Sequence, residues 1–323
     1  MKESVTQEAP EQRIRGRILA YMAPPPEFVG AAPLHMRSAL IVGEMGSGKT
    51  TFIEAKLGEA VQSLLARGVD DSRICYVYGR EAGVQRLLEA VRSLDLARCR
   101  YLYLFNDDAP AAQGGHGRRA LSKENVSESQ AYIMIRHRLR VLGFLGFLFV
   151  AHASQVYHLV DITFRRMAVL KFFKSYPDEP ADFRLLGPLV GSAGLLALHD
   201  LSMRLWTSND PTVTWEAVHR AVAVLKRHRS LVRADPSARR VLEGLPQAVR
   251  VEPGGDAGRG TAGEDATDGG GIDYGALGYI VKRLLERAEL KSRGADVLVE
   301  YPSGARVWLR KSLLEAAGLL GEQ

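Results

Sequence analysis

The sequence predicts an α/β fold, with a mostly parallel central sheet and helices on both of its faces. Two observations carry that expectation. Short, near-continuous apolar runs alternate with longer segments of helical spacing, as parallel strands buried on both sides require. The chain has 323 residues, 46% of them hydrophobic and 25% charged. That is enough apolar material for one large domain and a small satellite.

The elements follow in order. Residues 1–30 read as an N-terminal arm whose middle, Arg13 to Met22, forms a short basic helix. Pro24-Pro25-Pro26 stops it, because proline removes donors and disfavours helix before it. Ala39 to Val42 is the first strand, Thr50 to Arg67 a helix, Ile74 to Tyr78 a second strand and Ala82 to Leu94 a second helix. Tyr101 to Phe105 is a third strand. A long polar loop from Asp107 to Glu124 precedes a helix over Val126 to Val141. Leu145 to Ala151 and Ala168 to Phe173 are the fourth and fifth strands. From Phe183 to about Val249 the pattern reads as helical throughout, so residues 31–250 form one domain with a helical extension. Trp215 to Val232 within it is basic, with Arg220, Lys226, Arg227, Arg229 and Arg233 close together.

Residues 251–271 hold almost no large apolar side chain and read as a flexible linker, since such a segment cannot offset its ordering entropy. Residues 272–323 resume order as a small α+β module. A helix spans Tyr274 to Leu290, strands Val297 to Tyr301 and Ala305 to Leu309 flank Pro302-Ser303-Gly304, and a helix spans Lys311 to Leu320. That arrangement is compatible with a winged-helix-like module and equally with a packing cap.

The net charge of +6 and pI near 9.3 permit contact with nucleic acid or an anionic surface without requiring it. Two cysteines, Cys75 and Cys99, lie in or beside apolar runs and read as small core residues of a reducing compartment. They offer neither zinc spacing nor a disulfide framework. The polar N-terminus lacks a signal-peptide core. The longest apolar run, Val141 to Ala151, falls short of the about 20 residues a membrane span needs. A cytoplasmic protein without membrane insertion is expected.

Gly43-Glu44-Met45-Gly46-Ser47-Gly48-Lys49-Thr50 fits the phosphate-loop pattern, with a strand before it and a helix after it. The glycines let backbone N–H groups point inward at phosphate oxygens, and the helix adds its positive end. Lys49 is placed for the β- and γ-phosphates, the Thr50 hydroxyl for Mg²⁺, and Thr51 completes the nucleotide-contacting run. ATP with Mg²⁺ is therefore expected, although the pattern does not separate ATP from GTP. A second acid belongs at the end of another parallel strand, and Tyr101 to Asp108 supplies it. Asp107 is assigned to Mg²⁺ and Asp108 to orienting water, with the reverse assignment open.

One whole strand, Ile74 to Tyr78, intervenes between the loop strand and the acidic strand. That is the order of the P-loop class with an added central strand, which includes RecA-like ATPases. In that class a polar residue at the next strand tip senses the γ-phosphate. Here the tip offers Gln155 or His152, with Gln155 preferred. Arg165 or Arg166 is a candidate arginine finger acting on a neighbouring subunit. The basic segment Arg136 to Arg140 suits either a nucleic-acid channel or an exposed helix face.

The layout GEMGSGKT, then LYLFNDD, then FLFVAHASQVYHLVDITFRRMAVLKFFKSYPDEP resembles the FtsK–HerA superfamily of DNA-pumping ATPases, over roughly residues 36–180. It is nearest the packaging and conjugation ATPases of viruses and mobile elements. Gln155 matches the family's glutamine; Asp107-Asp108 departs from its usual Asp-Glu pair. The resemblance implies a ring-shaped homo-oligomer, ATP and double-stranded DNA, hence hydrolysis coupled to DNA translocation, packaging or transfer. The alternative is a nucleotide-switched initiator, loader or regulatory ATPase with slow turnover, its C-terminal module meeting a protein partner. A small-molecule kinase is the third reading, disfavoured by the intervening strand.

Overall fold

A computed structural model describes residues 10–30, 34–80, 82–107, 123–158, 160, 162–251, 289–293, 296–300 and 306–310. The chain divides into two compact units, Met1–Gly255 and Asp256–Gln323.

The first unit is built on an eight-stranded sheet. Its strands are β1 (His35–Val42), β2 (Ile74–Arg80), β3 (Tyr101–Asp107), β4 (Phe147–Ser154), β5 (Leu170–Phe173), β6 (Arg220–Leu225), β7 (His228–Arg233) and β8 (Gln247–Val251). They lie in the order β7-β6-β5-β1-β4-β3-β2-β8. The pairs from β5 through to β8 are all parallel, while β6 and β7 are antiparallel. The expected mostly parallel α/β sheet is therefore observed, and the acidic strand β3 is separated from the loop strand β1 by β4.

Strand alternation sorts the core into two layers. Tyr101, Tyr103 and Phe105 point to one face with α3 (Lys49–Leu65) and α1 (Pro10–Met22). Leu102 and Leu104 point to the other, with α4 (Gly83–Val91), α5 (Lys123–Val141), α6 (Ile162–Met167), α7 (Pro180–Trp206) and α8 (Pro211–Val218). α7 is long and apolar enough to cross a membrane by length and composition. It kinks at Gly191, whose φ is 69°, and buries Leu186, Val190, Leu198 and Leu201.

Four expectations are corrected. Residues 10–30 are not a free arm: Ile14, Ile18 and Met22, spaced four apart on α1, are buried in the core, and α2 (Pro26–Gly30) follows. The Tyr101 and Tyr103 hydroxyls donate to the Pro24 and Met22 carbonyls and lock the segment down. Residues 183–249 are not helical throughout. Helix ends at Val218, and the basic segment becomes the hairpin β6–β7, with Lys226 in the turn at φ 54°. A short helix α9 (Arg239–Glu243) and strand β8 complete that stretch. The two cysteines are buried in the core as expected, but they are paired: Cys75 and Cys99, with Cα atoms 5.9 Å apart, form a disulfide.

The second unit holds a three-stranded antiparallel sheet of β9 (Glu289–Arg293), β10 (Asp296–Glu300) and β11 (Arg306–Arg310), with β10 central. The hairpin expected around Pro302-Ser303-Gly304 is the β10–β11 pair. The fourth correction is that Glu289 and Leu290 belong to β9 rather than to a helix. The linker, the remainder of that helix and the closing helix lie outside the described residues.

Candidate nucleotide site

The phosphate loop leaves β1 at the middle of the sheet, where the backbone on either side fastens it. The Gly43 N–H donates to the Ser154 carbonyl at the end of β4 (3.2 Å). On the other side the Lys174 N–H, just past β5, donates to the Val42 carbonyl (2.9 Å). The Ser175 hydroxyl then accepts the Glu44 N–H at 3.1 Å. Gly46 and Gly48 take φ of 78° and 79°, the left-handed region in which a side chain is strained. A methyl on Gly48 would lie 2.6 Å from Val218, and one on Gly46 3.1 Å from Trp206, so α8 and the end of α7 cover the outside of the loop.

α3 starts at Lys49 with no side-chain cap on its first turn. Its orphan N–H groups and positive end are thus presented to an anion. Ser47 is fully buried and its Oγ has no hydrogen-bond partner among the described residues. A buried hydroxyl in that condition is a group that a bound oxyanion would satisfy. The Lys49 ammonium is nearly buried and donates to the Glu44 carbonyl at 2.9 Å. Met45 is 73% exposed at the loop tip, and Thr51 is half-buried. Glu44 has its carboxyl raised above the ordinary range by burial and by the neighbouring Asp178 charge.

Asp107 and Thr50 are brought together from positions 57 residues apart: the Thr50 hydroxyl donates to Asp107 Oδ2 at 2.7 Å. The Tyr78 hydroxyl donates to the same oxygen at 3.0 Å. Tyr78 lies near the end of β2, beside β3, and burial followed by the Asp107 charge drives its pKa strongly upward, so it stays a donor. A hydroxyl and a carboxylate at this spacing beside a lysine suit a hard, oxygen-seeking divalent cation such as Mg²⁺.

Asp108 lies outside the described residues. Gln155 is exposed and directly follows Ser154, the residue bonded to Gly43, so it stands at the loop's edge. His152 is on the opposite sheet face from Asp107, boxed by Tyr132 and Phe164 at 4.8 and 4.7 Å between ring centres. Burial lowers its pKa to about 3. Arg165 lies on α6 with its guanidinium 5.6 Å from the Tyr157 ring centre. Arg136, Arg138 and Arg140 are all exposed, and Arg136 donates to the Leu34 carbonyl at 3.4 Å. Sequence reading missed Tyr78, within β2, and Lys174 and Ser175, just past β5, which fall in no motif.

No protein-family profile and no curated protein sequence matches the chain. Solved structures do resemble it. The genome packaging NTPase of Sulfolobus turreted icosahedral virus 2 in complex with AMPPCP is 13% identical over 62% of this chain and 98% of its own, with a TM-score of 0.39. The conjugation coupling protein TcpA of pCW3 is 12% identical over 66% and 64%, at 0.35. EssC ATPases 2 and 3 from Geobacillus thermodenitrificans are 12% identical over 67% and 46%, at 0.37. Identities this low speak of fold alone.

Proposed function

We propose that the chain binds ATP with Mg²⁺ and hydrolyses it to ADP and phosphate. The observation that carries this is the Thr50–Asp107 hydrogen bond, at the start of a helix that has no side-chain cap and that begins with the nearly buried Lys49. Residues Gly43 to Thr51 wrap the polyphosphate, with Lys49 exchanging the Glu44 carbonyl for the β- and γ-phosphate oxygens. Thr50 and Asp107 hold the cation, which supplies charge neutralisation across those oxygens when bound. Asp108 follows Asp107 directly and orients the attacking water. Gln155 meets the γ-phosphate at the loop's edge, and Arg165 serves as the arginine finger toward a neighbouring copy.

The work coupled to hydrolysis is, in this reading, movement of double-stranded DNA by a cytoplasmic ring of identical subunits. The exposed cations Arg138 and Arg140 on α5, and Lys226, Arg227 and Arg229 on the β6–β7 hairpin, support a polyanionic partner.

The test is ATP hydrolysis with and without double-stranded DNA, with Lys49→Ala as control. Hydrolysis that DNA stimulates and the substitution abolishes is the expected result. Slow hydrolysis indifferent to DNA overturns the coupling and leaves the regulatory ATPase. No Lys49-dependent hydrolysis overturns the enzyme assignment.

A further inference from the structure

Lys174 is the unusual cation among the described residues. It follows β5 directly and is fully buried. Lys56, equally buried, is neutralised by Glu59 at 3.0 Å. Among the described residues no carboxylate pairs with Lys174. Its ammonium instead donates to the Val218 and Arg220 carbonyls, both at 2.7 Å, and to Ala217 at 3.4 Å. The Phe52 ring centre lies 4.9 Å from the same nitrogen. An ammonium has three donors, so its hydrogen-bonding capacity is met while its charge is not. Burying a charge without a counter-charge is costly, and a purely structural clasp on three carbonyls has no need of it.

The missing negative charge has one evident place. The Lys174 backbone bonds Val42, the last residue before the loop. Its Cβ would be 2.9 Å from a methyl placed on Gly43. Val218, whose carbonyl it holds, packs on Gly48. Burial, and after it the charge of Lys49, holds its pKa well below the ordinary lysine range, as a buried charge without a counter-charge would be. Two nearly buried cations backing one anion-facing loop form a field that a polyphosphate would satisfy.

We infer that Lys174 is a second cation of the phosphate site: it stands behind the loop without touching nucleotide, and the polyphosphate is its counter-charge. This rests on the nucleotide reading above. It adds a residue that the loop motif does not contain, and it makes affinity depend on the number of phosphate charges.

The experiment is calorimetric titration of the full chain with ATP, ADP and AMP in EDTA at fixed ionic strength, for wild type, Lys174→Met and Lys174→Arg. Each protein is first checked for a native thermal transition. With Lys174→Met, Kd is expected to rise about tenfold for ATP, about threefold for ADP and less than about twofold for AMP, following ligand charge. Lys174→Arg, which keeps the charge, should retain the wild-type grading. Should the Met variant fail to fold, Lys174→Gln removes the charge while keeping two N–H donors for the carbonyls. An equal rise for all three nucleotides means that Lys174 only props the loop, and that overturns the inference, as does no change. Wild-type protein that binds none of the three overturns the nucleotide reading itself.

Discussion

His152 should make the protein acid-sensitive, and the size of the effect follows from its surroundings. Its ring is 2% exposed between Tyr132 and Phe164, and among the described residues neither nitrogen has a hydrogen-bond partner. The imidazole is therefore neutral in the folded chain, with its pKa lowered from 6.5 to about 3. In the unfolded chain it takes up a proton as pH falls below about 6.5. The folded state resists that proton, so the stability present above this pH is lost progressively down to the folded pKa. At a pH of about 5 the gap is about 1.5 units, or about 2 kcal/mol. Urea unfolding of wild type and His152→Leu, followed by circular dichroism near pH 7.5 and near pH 5, isolates this term. Comparing the two proteins cancels the other titrating groups. Wild type should lose about 2 kcal/mol more than the variant between the two conditions. Equal losses would refute a neutral, desolvated imidazole.

Two further substitutions probe the site and its support. Asp107→Asn keeps the size of the side chain but removes the charge. It should cut hydrolysis in Mg²⁺ at least about a hundredfold while changing nucleotide Kd in EDTA by less than about threefold; an equal loss of binding in EDTA would show that Asp107 acts on loop structure instead. Gly58→Ala on α3 places a methyl 2.1 Å from the Ala238 carbonyl oxygen, whereas Gly16→Ala on α1 meets nothing within 4 Å. The first should cost about 2–3 kcal/mol and the second should be neutral or stabilising by up to about 1 kcal/mol. Equal thermal midpoints for the two would contradict the packing of α3 on the Pro236–Ala238 turn.

The strands β1 to β5 were legible because each is a short apolar run with helical spacing on either side. The hairpin β6–β7 was not, for a physical reason. β6 lies between β5 and β7 and is buried on both faces, so Ala221 to Leu225 shows no alternation. Its turn carries no glycine, asparagine or proline, since Lys226 itself takes the positive φ. With no punctuation, the seven-residue spacing of Arg220 and Arg227 imitates a helix face. The packing of α1 was readable in principle from Ile14, Ile18 and Met22, but Arg13, Arg15 and Arg17 interleave with them and give the segment the look of a basic helix. At the site, the loop and Asp107 announce themselves through motif and strand end. Tyr78 and Lys174 act through contacts made 29 and 44 residues away along the chain, which spacing cannot reveal.

The last strand of the sheet carries a consequence for biosynthesis. β8 pairs along β2, with Gln247 set against Cys75. The Gln247 side chain pins the same edge, accepting from the Asp95 N–H and donating to the Ser72 carbonyl. On a ribosome, β2 therefore emerges long before the strand that will cover it, and its row of open N–H and C=O groups waits through roughly 170 residues of synthesis. Closure across so wide a sequence gap is slow, and an open edge of this kind invites pairing with another nascent chain. The first unit is thus sealed only when residues 247–251 have left the exit tunnel, and truncations that stop short of them would leave the acidic strand's neighbour as a sticky border.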